Sequence, residues 1–284
     1  MRIKIIIFGI FFVISAFTAS GQLPKDHWTK GVGDRVHYYD IGKGKNALIL
    51  IHGWNCNADF WKDSYNAFPQ YRVIAIDLPG YGKSDKPKAN YSMEYFARSI
   101  DAVMTDAKVK RAVLVGHSMG TPVARQFYRL YPEKTLGIVV VDGALVPFGT
   151  KAEMDQFLGP LVSDYKGNAP RFLDGLLSSV KDEKLRSSIR DAMSTASEHV
   201  AISAMQGMID DRIWGNDKIN VPVLAIMAEG PFLKPDTKET YKGVAPELDF
   251  EAWTGVSHFL FMEKPKEFNA SVAAFVQKHK LLPG

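Results

Sequence analysis

Residues 113–121, with the sequence VLVGHSMGT, constrain the fold of this chain more than any other stretch. The apolar, β-branched residues before Gly116 predict a buried strand, and the residues after Gly120 predict a helix. A Cβ at either glycine would collide with the neighbouring backbone in so tight a turn. The turn therefore leaves the hydroxyl of Ser118 at its tip, on a residue held in a strained backbone conformation.

Ser118 is placed to act as a nucleophile. The new helix begins beside it, so the backbone N–H of Met119 points toward negative charge that develops on a group attacked by the serine. The stretch therefore predicts a catalytic serine together with half of an oxyanion hole.

Composition limits the classes of protein to consider. The 284 residues, of which 46% are hydrophobic, fit one large α/β domain with an insertion, or two small domains. The formal net charge is +4, and Arg2 and Lys4 account for two of these charges, so nothing argues for nucleic-acid binding. Cys56 is the only cysteine of the chain, which excludes an intrachain disulfide.

The amino terminus predicts a secretory signal peptide over residues 1–21. Basic residues at Arg2 and Lys4 precede an apolar run that is shorter than the roughly 20 residues a membrane-spanning helix needs. Small residues follow the run, as they do before a signal cleavage site. We expect export to the periplasm or medium, cleavage near residues 19–21 and no stable membrane insertion afterwards. A retained interfacial anchor is the alternative.

Strand patterns alternate with helical patterns along the mature chain. An alternating stretch at 35–41 is typical of an edge strand. Runs that are apolar apart from Arg72 and Arg111 occur at 47–51, 71–76, 111–115, 136–141 and 221–227. These runs predict a mostly parallel sheet with helices on both faces, to which residues 248–253 add a further strand. Ligands bind beyond the carboxyl ends of such strands, where four polar residues are expected: His52, Asp77, Ser118 and Asp142.

A helical pattern replaces the strand pattern between residues 148 and 216. Helices are predicted near 151–164, 171–180, 182–194 and 198–211. We interpret this segment as an all-helical cap inserted in a core formed by residues 22–147 and 217–284. Met205 and Met208 are candidates for an adaptable pocket wall over the active end of the sheet, although apolar residues of such helices more often pack in the core.

Four motifs in this order resemble those of the α/β-hydrolase family, over essentially all of residues 35–282. They are His52-Gly53-Trp54, the segment DLPGYGKS that begins at Asp77, the turn around Ser118, and Gly255-Val256-Ser257-His258. The resemblance implies an α/β-hydrolase fold with a helical cap. It also implies that the backbone N–H of Trp54 completes the oxyanion hole and that His258 is the base that activates Ser118.

The sequence offers three candidate acids for the third member of the triad. Most family members carry the acid after the strand that here is 221–227, but that loop reads AEGPF and its first aspartate is Asp236. Some members place the acid after the preceding strand, where this chain has Asp142. We therefore favour Asp142 and keep Glu229 and Asp236 as alternatives. A turn-capping role is the other reading of Asp142.

These residues indicate an exported serine hydrolase. It would cleave an ester or related acyl bond of a small molecule through an acyl-enzyme, with Ser118, His258 and Asp142 as triad and the N–H groups of Trp54 and Met119 as oxyanion hole. The resemblance implies no cofactor or metal, and no oligomeric state follows from the sequence. Alternatives on the same fold are carbon–carbon bond hydrolysis, cofactor-free perhydrolysis and a non-catalytic ligand-binding shell.

The remaining histidines carry no motif that predicts a partner. We interpret them as surface or packing residues: His27, His37, His199 and His279. His117 lies beside the nucleophile, where the family often has a histidine without a role in the triad. Dehalogenase and epoxide-hydrolase activities are not expected, because family members with those activities carry aspartate where Ser118 stands.

Overall fold

The computed structural model describes residues 24–147, 149–230 and 233–282. The predicted signal peptide, residues 1–21, lies outside these ranges. Across the described ranges, every helix is too short or too polar to cross a bilayer.

One eight-stranded sheet runs through the molecule in the order β1-β2-β4-β3-β5-β6-β7-β8. The first pairs, β1 with β2 and β2 with β4, are antiparallel, and all the others are parallel. The strands are β1 Lys25–Lys30, β2 Arg35–Ile41, β3 Asn46–Ile51, β4 Arg72–Ile76, β5 Arg111–His117, β6 Thr135–Val141, β7 Val223–Ala228 and β8 Leu248–Trp253. The mostly parallel sheet predicted from the apolar runs is therefore confirmed.

Nine α-helices flank or cover this sheet within the described ranges. They are α1 Met93–Asp106, α2 Gly120–Leu130, α3 Lys151–Ser163, α4 Tyr165–Leu177, α5 Glu183–Met193, α6 Glu198–Met208, α7 Thr237–Val244, α8 Leu260–Glu263 and α9 Pro265–Lys278. Local chemistry sets several of their ends. The Ser92 side chain accepts a hydrogen bond from the Tyr95 N–H at the start of α1, and Thr150 with Glu153 forms a capping box at the start of α3.

The core lies on both faces of the central strands. Leu48 of β3, Val113 of β5 and Val139 of β6 are fully buried, as are the residues beside them. Strands covered on both faces need apolar side chains at every position rather than at alternate ones. This requirement explains the unbroken apolar runs in the sequence.

Two sequence expectations about secondary structure need correction, and helix α7 is an addition to them. The stretch 35–41 is not an edge strand, because β1 pairs beyond it and takes the edge. Helix α4 starts at Tyr165, earlier than the predicted 171, because the Asp164 side chain accepts a hydrogen bond from the Gly167 N–H. Helix α7 was not predicted, since its sequence TKETYKGV is only eight residues long and mostly polar.

Helices α3 to α6 form one insertion between β6 and β7, called the helical insertion from here on. Its two ends meet at helix α2. The buried guanidinium of Arg125 donates one hydrogen bond to the Leu145 carbonyl and another to the Gly215 carbonyl, both 2.5 Å long. Arg129, one turn further along α2, forms an ion pair with Asp217. Two arginines on one helix face thus hold the chain where it leaves the sheet and where it returns.

Candidate active site

Ser118 lies at the junction of β5 and α2 in the left-handed backbone region, with φ of 52°. A non-glycine residue seldom adopts this conformation. The turn is as tight as the sequence predicts: a Cβ on Gly116 would lie 2.4 Å from the Gly120 carbonyl oxygen, and one on Gly120 would lie 2.4 Å from the Ile51 carbonyl oxygen. The Ser118 N–H donates to the Val141 carbonyl oxygen at 3.0 Å, which fixes the serine against the end of β6.

His258 and Asp142 form a hydrogen-bonded pair at the same end of the sheet, beyond the carboxyl ends of its strands. Asp142 Oδ2 lies 2.7 Å from His258 Nδ1, and its Oδ1 accepts a hydrogen bond from the Ala228 N–H at 2.8 Å. The Asp142 N–H donates to the Ile226 carbonyl oxygen at 2.9 Å. Strand β6 lies between β5 and β7, so the carboxylate is held by the end of β7 while it faces the histidine.

This pairing leaves the other ring nitrogen of His258 available. The carboxylate accepts, so Nδ1 carries the proton and Nε2 bears a lone pair. Among the described residues, none forms a hydrogen bond with Nε2. The His258 ring centroid lies 4.6 Å from that of His117, the residue that precedes Ser118, so the histidine lies directly beside the nucleophile turn.

The two alternative acids lie elsewhere. Glu229 is solvent-exposed, and Asp236 is an exposed residue that directly precedes α7. Of the three candidates, the structure brings Asp142 alone into contact with His258 within the chain that it describes. Its geometry therefore favours Asp142, whose catalytic role stays a prediction.

The proposed oxyanion residues, Trp54 and Met119, are buried. Within residues 24–147, 149–230 and 233–282, neither backbone N–H donates a hydrogen bond, so both remain free for a ligand oxygen. Gly53 lets the loop of Trp54 lie against Ser118, because a Cβ on this glycine would lie 3.1 Å from Ser118 Cβ.

His52 holds this loop from behind. Its Nδ1 donates to the Gly53 carbonyl oxygen at 2.8 Å, and its Nε2 accepts from the Leu78 N–H at 3.1 Å. One nitrogen donates and the other accepts, so the ring is the neutral tautomer. Burial lowers the pKa of His52, which keeps it in that form.

The helical insertion packs on the same loop. The Trp54 indole N–H donates to the Ala201 carbonyl oxygen of α6 at 2.8 Å, and its ring lies 5.4 Å from that of Phe172 on α4. The Asn55 side chain donates to the Tyr165 hydroxyl at 2.9 Å. The loop that carries Trp54 is therefore fixed from above by two inserted helices.

One polar cluster was missed by the sequence analysis. His37 is fully buried, with Nδ1 2.8 Å from Asp77 Oδ2 and Nε2 2.9 Å from Asp26 Oδ1. This placement agrees with the packing role that was one of its two interpretations, but its two carboxylate partners were not predicted. The signal available was Asp77 itself, a charged residue directly after a buried strand, which needs a partner. Nothing in the local sequence identifies that partner.

Cys56, the remaining nucleophilic side chain near this loop, is buried. Burial raises the pKa of its thiol well above the usual value. The thiolate, which is the reactive form of cysteine, is therefore scarce at neutral pH.

The sheet order, the nucleophile turn and the inserted helices define a class of protein, and the sequence comparisons agree with it. A family profile described as the alpha/beta hydrolase fold matches residues 46–181. The chain therefore has the α/β-hydrolase fold, as the motifs predicted.

Relatives extend this similarity over most of the chain. A 2-hydroxy-6-oxononadienedioate/2-hydroxy-6-oxononatrienedioate hydrolase of Paraburkholderia phymatum is 28% identical over 263 residues, covering 85% of this chain and 91% of the relative. A pimeloyl-[acyl-carrier protein] methyl ester esterase of Serratia marcescens is 24% identical over 260 residues, covering 86% and 99%. Among solved structures, an esterase from Exiguobacterium antarcticum superposes with a TM-score of 0.78 at 23% identity, covering 88% of this chain and 98% of that one.

Proposed function

We propose that this protein is an exported serine hydrolase that cleaves a carboxylic ester or a related acyl bond of a small molecule. The observation that carries the proposal is the 2.7 Å bond between Asp142 and His258 Nδ1, which leaves Nε2 free beside the Ser118 turn. A serine hydroxyl is a poor nucleophile at neutral pH and needs such a base.

In the proposed reaction, Ser118 Oγ attacks the carbonyl carbon of the substrate and His258 Nε2 takes the hydroxyl proton. The carbonyl oxygen becomes an oxyanion that accepts hydrogen bonds from the N–H groups of Met119 and Trp54. Asp142 stabilises the imidazolium formed on His258. Collapse of the tetrahedral intermediate breaks the bond to the leaving alcohol, which receives the proton from His258.

The acyl-enzyme is then hydrolysed by the same groups in reverse. His258 takes a proton from water, the hydroxide attacks the acyl carbon, and Ser118 leaves with the proton returned by His258. Every step uses groups of the chain and water, so the proposal includes no metal or cofactor.

Active-site labelling tests this proposal. A fluorophosphonate probe should modify the protein, and mass spectrometry of its peptides should locate the adduct on Ser118. A panel of p-nitrophenyl esters should be hydrolysed with a burst of nitrophenol, as an acyl-enzyme requires. An unlabelled protein that also leaves every ester intact would instead support the non-catalytic ligand-binding shell.

Carbon–carbon bond hydrolysis is the second candidate, favoured by the 28% identical Paraburkholderia relative. That relative is named for substrates that carry a 2-hydroxy-6-oxo dienoate rather than an ester. The same triad would serve, since the reaction also begins at a carbonyl group. Comparison of kcat/KM for a 2-hydroxy-6-oxo dienoate with that for the best ester separates the two functions. Perhydrolysis is tested by adding peroxide and a carboxylic acid to the same assay.

Export is a separate proposal that rests on the basic start and short apolar run of residues 1–21. Expression with a carboxyl-terminal tag should yield protein in the periplasm or medium that begins near residues 20–22. Amino-terminal sequencing measures this directly. Recovery of chains that still begin with Met1 from a membrane fraction would favour a retained interfacial anchor.

A further inference from the structure

His117 links the nucleophile strand to the loop of the catalytic base. Its Nε2 donates a hydrogen bond of 2.9 Å to the backbone carbonyl oxygen of His258. A carbonyl oxygen only accepts, so Nε2 carries the proton and Nδ1 bears the lone pair. The tautomer of this buried ring is therefore fixed by the residue that supplies the base.

We propose that His117 is a positioning residue that holds the His258 loop at the nucleophile turn. His117 would then contribute to the proposed hydrolase reaction although it is not a member of the triad. The inference rests on the proposed function of Ser118 and His258. His117 touches neither the substrate nor the transferred proton, and it acts through the backbone of the base.

The loop that carries His258 needs such an anchor. It runs from the end of β8 to the start of α8, outside the hydrogen-bond ladder of the sheet. Two of its other bonds stay close by, from the Ser257 N–H to Glu263 and from the Phe259 N–H to Ser257 Oγ. The bond from His117 instead crosses to β5, the strand that ends at the nucleophile. It couples the position of the base to that of Ser118.

The His117 ring is also wedged between the base and the oxyanion loop. Its centroid lies 4.6 Å from the His258 ring and 4.8 Å from the Phe261 ring. On its other side, a Cβ on Gly53 would lie 2.8 Å from Nδ1, so the glycine lets the loop of Trp54 approach the ring. A single side chain thereby contacts the base and the oxyanion loop and adjoins the nucleophile in sequence.

The charge of His117 matters for the base. Burial, together with the neighbouring His258, holds the pKa of His117 well below its usual value, so the ring is neutral at pH 7. Among the described residues, Nδ1 has no hydrogen-bond partner. A positive charge at this distance would oppose the imidazolium that His258 must become, and the neutral ring avoids that repulsion.

Two substitutions separate the hydrogen bond from the packing. His117→Phe keeps a planar ring but removes the donor, and His117→Gln keeps an N–H near the place of Nε2. We expect His117→Phe to lower kcat by about 10²-fold with KM within a factor of two, because a base misplaced by about 1 Å loses that much. His117→Gln should recover most of the loss. Phe261→Leu, which changes the packing but not the bond, should lower Tm with little change in kcat.

Proton NMR gives a readout that does not depend on turnover. The Nδ1 proton of His258, hydrogen-bonded to Asp142, should give a low-field signal in the wild type and in His117→Gln, and a broadened or lost signal in His117→Phe. Wild-type kcat together with a sharp signal in His117→Phe would overturn the inference, as would equal losses in the Phe and Gln variants. A wild type that neither binds fluorophosphonate nor cleaves esters would refute the proposed hydrolase function, whereas the NMR comparison would still test His117 as the anchor of the loop.

Discussion

Two histidine–carboxylate pairs in this molecule have almost the same bond and opposite surroundings. His258 Nδ1 lies 2.7 Å from Asp142, and His37 Nδ1 lies 2.8 Å from Asp77. The second nitrogen of His37 faces Asp26 at 2.9 Å, whereas that of His258 has no hydrogen-bond partner within the part of the chain described. A histidine–aspartate pair is therefore not itself a catalytic signal, and the free nitrogen is what distinguishes the two.

The surroundings explain the difference. The side chains of His258 and Asp142 are 17% and 12% exposed, at the open edge of the sheet, while those of His37 and Asp77 are 0% and 4% exposed. Asp77 also accepts hydrogen bonds from the Ala58 N–H at 2.7 Å and the Lys83 N–H at 2.9 Å. The buried pair fastens strands and loops together, and it has no room for a substrate.

A serine lies beside each pair, Ser118 beside His258 and Ser84 beside His37. Replacing each serine by alanine should give the largest difference in kcat between the two regions. Ser118→Ala should reduce ester hydrolysis by about 10⁶-fold in kcat, because removal of a triad nucleophile costs that much in a serine protease. Ser84 bonds to the backbone of His37 and Asp77, and Ser84→Ala should leave kcat within a few-fold. Steady-state ester kinetics on both variants checks this. A strong loss in Ser84→Ala alone would reverse the assignment of the two pairs.

Neutralising Asp142 or Asp77, the acids of the two pairs, should give the next largest difference in kcat, with Glu229 as a further comparison. Asp142→Asn should lower kcat by about 10⁴-fold, since the amide favours the wrong tautomer of His258. Asp77→Asn and Glu229→Gln should change kcat only a few-fold. The measurement is kcat at fixed pH, with circular dichroism to verify folding. Activity that survives in Asp142→Asn and disappears in Glu229→Gln would transfer the role of the acid.

The free energy of unfolding should show the opposite order, with a larger loss in Asp77→Asn than in Asp142→Asn. Asp77→Asn should lower the free energy of unfolding by about 3 kcal/mol, as the loss of one partner of a buried pair does. Burial by itself would raise the pKa of Asp77, but hydrogen bonds from His37, Ala58 and Lys83 outweigh it and lower the pKa below 3.8. The stabilisation is thus complete above the unfolded pKa and is lost as the pH falls through the folded one.

Urea unfolding of the wild type and of Asp77→Asn at several pH values measures this. The difference in free energy of unfolding between the wild type and Asp77→Asn should be largest near neutral pH. It should become smaller below about pH 4, because the carboxyl group of the unfolded chain titrates there. Ser84→Ala, which keeps the carboxylate, is the control and should lack that narrowing. A gap that stays constant with pH would mean that packing, rather than charge, stabilises this region.

The smallest effect is expected in the helical insertion. Met205 is buried on α6, one turn from Ala201, which accepts the Trp54 hydrogen bond. Met205→Ala and Met208→Ala should shift the preferred acyl or alcohol size by about tenfold or less in kcat/KM, because one methylene in a pocket changes specificity by roughly that factor. A substrate panel measures the shift. Met193→Ala, equally buried on α5, should destabilise without changing the profile.

The sequence predicted the sheet better than its edge, for physical reasons. Strands β3 to β7 are buried on both faces and so appear as apolar runs, whereas β1 has the sequence KDHWTK, is largely exposed and gives no such pattern. Ser118 was predicted as the nucleophile from its local motif, and His258 was predicted as the base from the resemblance to the family. The sequence did not decide among Asp142, Glu229 and Asp236 for the acid. The contact with His258 depends on which strand ends beside β5, and that is decided by the order of strands in the sheet rather than by the local sequence.

Arg125 has a consequence for how this protein and its relatives can vary. One guanidinium binds the carbonyl groups of both Leu145 and Gly215. The segment between these two residues, which contains the helical insertion, is therefore a loop whose two ends are held together at the sheet. The entropy of closing a loop grows only with the logarithm of its length, and doubling it costs about 0.6 kcal/mol. Evolution or a designer can therefore lengthen, shorten or exchange the helices at small cost, provided that the exchanged segment returns two carbonyl groups to the same arginine.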